Sequence, residues 1–437
     1  MTLRNINVMK KVFFYSFLVI LASCISNKKI QKAQRELTKT TSKATSIQPE
    51  VVAKPAVVAI KSRYLLKDSS SVRIYLELDI ENLKTNNALT HLKEHFRFSW
   101  LLQPDYGVRD RLAYGKIEIS EQNTILKEGK ILLDFEIPRP KNTPKGLLLT
   151  EIFEVENSKK SNNDLAIDFN GIRLNDRFGV FVKDFSMPIF KNYISQKDTF
   201  QIKSAIPQAK ELFLIRYNNE FEPAQSPMAT SIRPAMKSMD VKEIIKIQTN
   251  TPILLPNEGL YLAVEDTVYI KNGFGFMIVD ERFPRFTRPE KLAKPLIYIS
   301  SSQESKTANE TKDAKQALDR YFLTVTGGNQ MVSKKIIKTY YHRIEDANRL
   351  FTTYKEGWKT DKGMVYIVLG PPNKVQRSRD REVWMYAQSQ NFSEIIFTFN
   401  RKPNQFTENY YELVRYPEYQ SYWYPFVEAW RTGNVVE

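Results

Sequence analysis

The spacing of apolar residues changes along this chain, and that change limits its fold more than any other feature. Before about residue 290 apolar positions recur every second residue; from 314 to 351 they recur every third or fourth. Residues 71–80 (SVRIYLELDI) alternate, and 130–137 (KILLDFEI), 146–155 (GLLLTEIFEV) and 211–217 (ELFLIRY) are further strand candidates. Turn-forming clusters such as Pro138-Arg139-Pro140 and Asn170-Gly171 separate them. This pattern predicts β-sandwich packing, but residues 55–290 exceed the roughly 100 residues of one small sandwich. A boundary near residue 175 resolves the excess, with 259–264 (GLYLAV) and 273–280 (GFGFMIVD) as strands of the second module.

The polar stretch 300–312 (SSSQESKTANETK) reads as a linker. Beyond it Ala314, Leu318, Tyr321 and Phe322 lie at helical spacing. Ile336, Ile337, Tyr340, Tyr341, Ile344, Ala347 and Phe351 predict a longer amphipathic helix. Strands are expected again at 364–369, 382–386, 394–399 and 411–415, and a last helix from Pro425 at its first position to a stop at Gly433. The expected class is α+β and multidomain: two tandem β-sandwich-like modules (55–174 and 175–299) followed by a C-terminal α+β domain (300–437).

The N-terminus carries an export pattern. Arg4, Lys10 and Lys11 precede an apolar run of ten residues, 12–21. That is half the ~20 residues a spanning helix needs, so it suits a signal peptide. Leu21-Ala22-Ser23-Cys24 resembles a bacterial lipobox, and Cys24 is the only cysteine in the chain. The resemblance implies a signal peptide over 1–23, read from Met1 or Met9, and lipidation of Cys24. Residues 24–54, rich in Lys, Thr, Ser and Gln, read as a flexible tether. The residues after Cys24 lack the acidic cluster that resembles a surface-export signal of Bacteroidetes lipoproteins, so the resemblance implies an outer-membrane lipoprotein facing the periplasm, with the cell surface as the alternative. The net charge of +16 becomes +13 once residues 1–23 are removed. From Gln303 on there are 20 basic and 16 acidic residues, so most of the excess lies in the tether and β-modules. An anionic membrane surface or an anionic glycan is the expected counterpart.

Residues 357–361 read Gly357-Trp358-Lys359-Thr360-Asp361. They follow Tyr341-His342-Arg343-Ile344-Glu345-Asp346 and Tyr354-Lys355-Glu356, and precede Lys362-Gly363, Gly370-Pro371-Pro372, Trp384-Met385-Tyr386 and Phe397-Thr398-Phe399. This ordered set resembles the GWxTD-domain proteins, exported proteins widespread in Bacteroidetes; the likeness covers about residues 310–437 and implies no reaction. Read physically, Gly357 ends the long helix, Trp358 anchors, and Asp361 accepts backbone N–H groups in a turn ending at Gly363. The functional alternative gathers Asp361 with Arg343, Glu345 or Glu356 around a ligand. A weaker likeness links Gly370-Pro371-Pro372, Trp384-x-Tyr386 and Phe397-x-Phe399 to small lipoproteins of the outer-membrane β-barrel assembly machine. In those a helix precedes the Gly-Pro, whereas a strand is expected here.

Four of the five Trp (Trp358, Trp384, Trp423 and Trp430) fall in the last 80 residues. They read as core anchors, with a glycan or peptidoglycan platform at Trp423 and Trp430 as the alternative. His91-Leu92-Lys93-Glu94-His95 matches H-x-x-E-H, a zinc pattern that works only on a helix, with Glu151, Glu154 or Glu156 as third ligand. The strand-like run from Phe96 and the loop-like Asn86-Asn87 argue against a helix there, so no metal is expected. No cofactor motif and no nucleic-acid-binding motif is present. The expected function is a non-enzymatic scaffold or accessory subunit of an envelope assembly or secretion complex with an envelope protein partner. The alternatives are glycan binding and hydrolysis through His91, Glu94 and His95.

Overall fold

In the computed structural model the described residues are 54–435, without 85, 185, 219, 232, 234–237, 311–312 and 388–393. Cys24, the signal peptide and the tether therefore lie outside them, apart from Lys54.

The first sandwich holds β1 (Ala56–Leu66), β2 (Ser71–Glu81), α1 (Ala88–His95), β3 (Phe96–Gln103), β4 (Ala113–Lys116), β5 (Thr124–Lys127), β6 (Lys130–Pro138), β7 (Lys145–Glu154) and β8 (Lys159–Asp168). Two antiparallel sheets, ordered β1-β2-β6-β5 and β4-β3-β7-β8, face each other. Val72, Ile74, Leu76 and Leu78 of β2 meet Phe98, Leu102, Leu148 and Ile152 of the other sheet, as the alternation at 71–80 predicts. The helix α1 contradicts the expected loop: Leu92, fully buried, and Leu89 sit one turn apart against this core.

Next come α2 (Leu174–Arg177), β9 (Phe178–Val182), β10 (Tyr193–Ser195), β11 (Phe200–Ser204), β12 (Glu211–Tyr217), β13 (Val241–Gln248), β14 (Gly259–Val264) and β15 (Phe274–Val279). A five-stranded sheet runs β10-β15-β14-β12-β13, and β9 pairs with β11 beside it. One face of that sheet packs Leu214, Tyr261 and Phe276 against Val180, Phe200 and Ile202. The other packs Tyr217, Leu260, Leu262 and Met277 against Phe406, far downstream. Every residue of β14 is buried, because the strand is covered on both faces.

The remainder holds α3 (Pro289–Leu292), α4 (Ser302–Glu310), α5 (Ala314–Val325), α6 (Gln330–Phe351), α7 (Asp361–Leu369), β16 (Lys374–Arg377), β17 (Arg381–Tyr386), β18 (Ile395–Arg401), β19 (Tyr411–Leu413) and α8 (Gln420–Thr432). The antiparallel sheet β16-β17-β18-β19 packs with the helices around one core that includes Trp358, Trp384, Trp423 and Trp430. This α+β arrangement after two β-rich modules is the class expected from the period. Four local expectations are corrected. Residues 364–369 form helix α7, not a strand: Met364, Val365, Ile367 and Val368 are all buried, so the apolar run has no polar face to reveal its period. The polar stretch after residue 300 is helix α4, held by Arg431 pairing with Glu304 at 2.9 Å. Helix α8 starts at Gln420 and keeps Pro425 inside it, though Gly433 does end it in the left-handed conformation. Helix α6 ends at Phe351, six residues before Gly357.

Candidate functional site

The GWxTD segment starts from a polar residue on an apolar stripe. Asn348 sits on the buried face of α6 beside Ile344 and Ala347 and is fully buried. Its amide oxygen accepts from Trp358 N–H at 3.0 Å, and its amide nitrogen donates to the Pro284 carbonyl at 3.1 Å. Thr352 donates to the Asn348 carbonyl at 2.6 Å and accepts from Gly357 N–H at 2.9 Å. Gly357 is required here because of contact rather than backbone angle: a Cβ on it would lie 1.9 Å from the Ala347 carbonyl oxygen. Gly357–Lys359 form a single 3₁₀ turn, and Thr360 closes it. The Thr360 hydroxyl donates to the Gly357 carbonyl at 2.7 Å and caps α7 by accepting from Gly363 N–H at 3.0 Å.

Trp358 is 1 % exposed, and its indole N–H donates to Glu356 at 2.9 Å; Lys359 pairs with the same carboxylate at 2.9 Å. Asp361 does not make the expected local turn. It reaches 52 residues along the chain to accept Leu413 N–H at 2.7 Å, and pairs with Arg415 at 2.6 Å. The motif therefore ties α6, α7 and β19 together.

The residues expected around a ligand with Asp361 are not brought together. Arg343 donates to the carbonyls of Ile367 and Val368 at 3.3 and 3.2 Å and lies 4.9 Å over the Trp430 ring. Glu345 pairs with Arg285 at 3.2 Å, and Glu356 holds Trp358 and Lys359. Gly370 has φ +90° beside the Arg343 guanidinium, and its carbonyl accepts from Tyr386 at 2.9 Å; Pro371 is exposed and Pro372 half-buried. Trp384 donates to Glu382 at 2.6 Å, and Trp430 donates to the Val368 carbonyl at 3.0 Å. Trp423 is 5 % exposed and Trp430 1 %, so both are core anchors as expected, and the alternative glycan platform has no ring face to offer. In α1 the rings of His91 and His95 stand 4.2 Å apart, and His95 meets Glu156 at 3.0 Å. Burial, then the neighbouring His95, lowers the His91 pKa. Glu94 points to solvent, and no three metal-ligating side chains converge among the described residues.

Beside the motif lies a cleft of about 560 Å³ that sequence reasoning missed. Its walls come from β1, β8, the segment before β10, the end of α6, β16 and the β18–β19 loop. Nine Lys or Arg line it against three carboxylates, Asp164, Glu382 and Glu408. Those three are already paired: Asp164 with Arg377 at 3.0 Å, Glu382 with Lys362 at 2.9 Å, Glu408 with Arg173 at 3.6 Å. Burial pulls Lys362 down despite Glu382, and its ammonium lies 3.6 Å from the Tyr411 ring centre. Burial opposes ionisation of Glu382, but Lys362, the Trp384 indole and Arg377 hold its carboxyl below the usual range. The ion pairs across the cleft join the first sandwich to the C-terminal sheet, with Arg379 to Asp105 at 3.0 Å beside them. Residues so far apart in sequence leave no local signal. Only Asn348 was detectable, as a polar residue on an apolar stripe.

Comparison with known proteins gives one family match. Residues 259–432 match the GWxTD domain. The match starts at the first residue of β14 and so takes in two strands that the change of period groups with the second β-module. Gly275 of β15 shows why they go together: its N–H donates to the Phe406 carbonyl at 2.7 Å, and a Cβ there would lie 2.6 Å from the Phe406 side chain. No curated protein matches the chain. Among solved structures, the crystal structure of Dpr2 Ig1-Ig2 in complex with DIP-Theta Ig1-Ig3 aligns at 11% identity. It covers 52% of this chain and 100% of that one, with a TM-score of 0.17 that carries no argument. The ordered motif, its geometry and the matched interval together place a GWxTD domain over residues 259–432.

Proposed function

We propose that the protein is a lipid-anchored envelope protein that acts without catalysis, as a scaffold or accessory subunit of an outer-membrane assembly or secretion complex. The observation that supports this is how the GWxTD side chains are used. Asn348, Thr352, Trp358, Thr360 and Asp361 all bond within the chain, and the bonds draw distant elements together. A motif committed in this way carries architecture, and architecture is what a scaffold supplies. Cys24 and the lipobox around it provide the anchor, and the basic tether would meet anionic head groups. Helix α7 ahead of Gly370-Pro371 also removes the departure that separated this segment from the small lipoproteins of the β-barrel assembly machine.

Two measurements test the reading. Metabolic labelling with an alkyne fatty acid should mark the wild-type chain and fail to mark Cys24→Ala. Cross-linking in the envelope should then capture a stoichiometric protein partner. An unlabelled wild type, or a chain that stays a solitary monomer, contradicts it.

A further inference from the structure

The charges of the cleft are not balanced within the chain. Besides the cations held by Asp164, Glu382 and Glu408, Lys61, Arg349 and Arg379 pair with Glu77, Asp346 and Asp105. Arg63 and Lys191 have no carboxylate within ion-pair distance among the described residues. The Arg63 guanidinium donates to the Ile189 carbonyl at 3.2 Å, and the Lys191 ammonium sits 4.5 Å from the Tyr193 ring centre. Arg63 is half-buried and Lys191 is exposed on the cleft wall, and burial lowers the pKa of each. Cations that line a concave surface without a counter-ion favour any anion that can enter.

Unpaired polar atoms gather in the same place. The Asn163 and Asn175 carbonyl oxygens, Arg173 Nε and the Thr353 hydroxyl have no hydrogen-bond partner, and all four residues line the cleft. Buried polar groups are rarely left so, and two of these four are acceptors. A bare anion would answer the cations and leave the amide oxygens without a donor. A neutral sugar would do the reverse. The cleft volume is in the range of roughly 300–1,000 Å³ typical of small-molecule sites.

We infer that the cleft binds an acidic oligosaccharide, a hydroxyl-rich chain bearing carboxylate or phosphate groups, with Arg63 and Lys191 holding the charges and Asn163, Asn175 and Thr353, whose unpaired atoms are sealed in the wall, turning to meet the hydroxyls. This goes beyond the scaffold reading and fails separately from it, since lipidation and partner capture do not involve the cleft.

Calorimetry on the full chain in detergent tests it, with tetragalacturonate, a phosphorylated maltotetraose, plain maltotetraose, inorganic tripolyphosphate and an oligothymidylate as probes. The expected result is binding of at least one acidic sugar, weaker at high salt, with no heat from maltotetraose. Which acidic sugar binds distinguishes carboxylate from phosphate. Lys191→Gln, which removes no hydrogen bond, should weaken binding about tenfold. Thr353→Val should weaken it a few-fold without lowering Tm, because the hydroxyl it removes has no partner in the fold. Binding of neither acidic sugar, equal or tighter binding of tripolyphosphate or oligothymidylate, or unchanged binding by Lys191→Gln overturns the inference.

Discussion

The GWxTD segment and the cleft next to it use the same kinds of residue to opposite ends. In the segment Asp361 has Arg415 and Leu413, Glu356 has Trp358 and Lys359, and Asn348 uses both ends of its amide. In the cleft Arg63 and Lys191 have no carboxylate, and four polar side chains keep an unpaired atom. Charge alone therefore does not separate architecture from binding; the state of each group's partners does. A motif with satisfied groups resists change, whereas a surface with unsatisfied ones tolerates substitution and waits for a ligand.

The sharpest way to break this contrast is Asp361→Ala. It leaves the nearly buried Arg415 with only the carbonyls of Ser226, Leu413 and Gln225, and should cost about 3 kcal/mol in urea unfolding. The double variant Asp361→Ala with Arg415→Met should recover a large part of that. If Asp361→Ala unfolds like the wild type, the motif is not architectural. Gly357→Ala comes next: the added methyl meets backbone rather than a movable side chain, and a loss of roughly 3 kcal/mol is expected as a drop in Tm.

Lys355, just before the motif, sharpens the comparison through pH. Burial lowers its pKa to about 8, with Asp361 opposing. An unfolded lysine titrates near ~10.4, so the unfolded chain holds more protons between these values and stability rises with pH across that window. The penalty is fully present below pH 8. Lys355→Met should therefore stabilise at pH 7 by on the order of 1–2 kcal/mol, and the gain over wild type should shrink by pH 10. A gain independent of pH would mean that packing, not charge, accounts for it. The smallest effect is expected in the cleft, where Lys191→Gln should change stability by less than about 0.5 kcal/mol.

Legibility in the sequence followed how much context each element needs. Strand β2 was readable to within one residue of its ends, 71–80 against Ser71–Glu81, because its apolar residues alternate strictly and show the period locally. Helix α7 was not, since a helix buried all round looks like a buried strand, and only the Thr360 cap marks its start. Helix α1 was hidden by its shortness: eight residues with Leu92 as the only buried side chain carry little periodicity. The motif itself was legible as a motif, but its roles were not. Gly357 looked like a helix stop, and its reason proved to be a backbone contact with Ala347.

The sequence by itself determined the change of period, the α+β class and the GWxTD resemblance, because each depends on residues within a few positions of one another. Only the tertiary structure decided where Asp361 finds its partners, why Gly275 meets Phe406, and that Lys and Arg from β1, β16 and the loops converge on one cleft. Those relations join residues separated by 50 to more than 200 positions, and nothing local in the chain encodes which distant group will complete a charge or fill a contact.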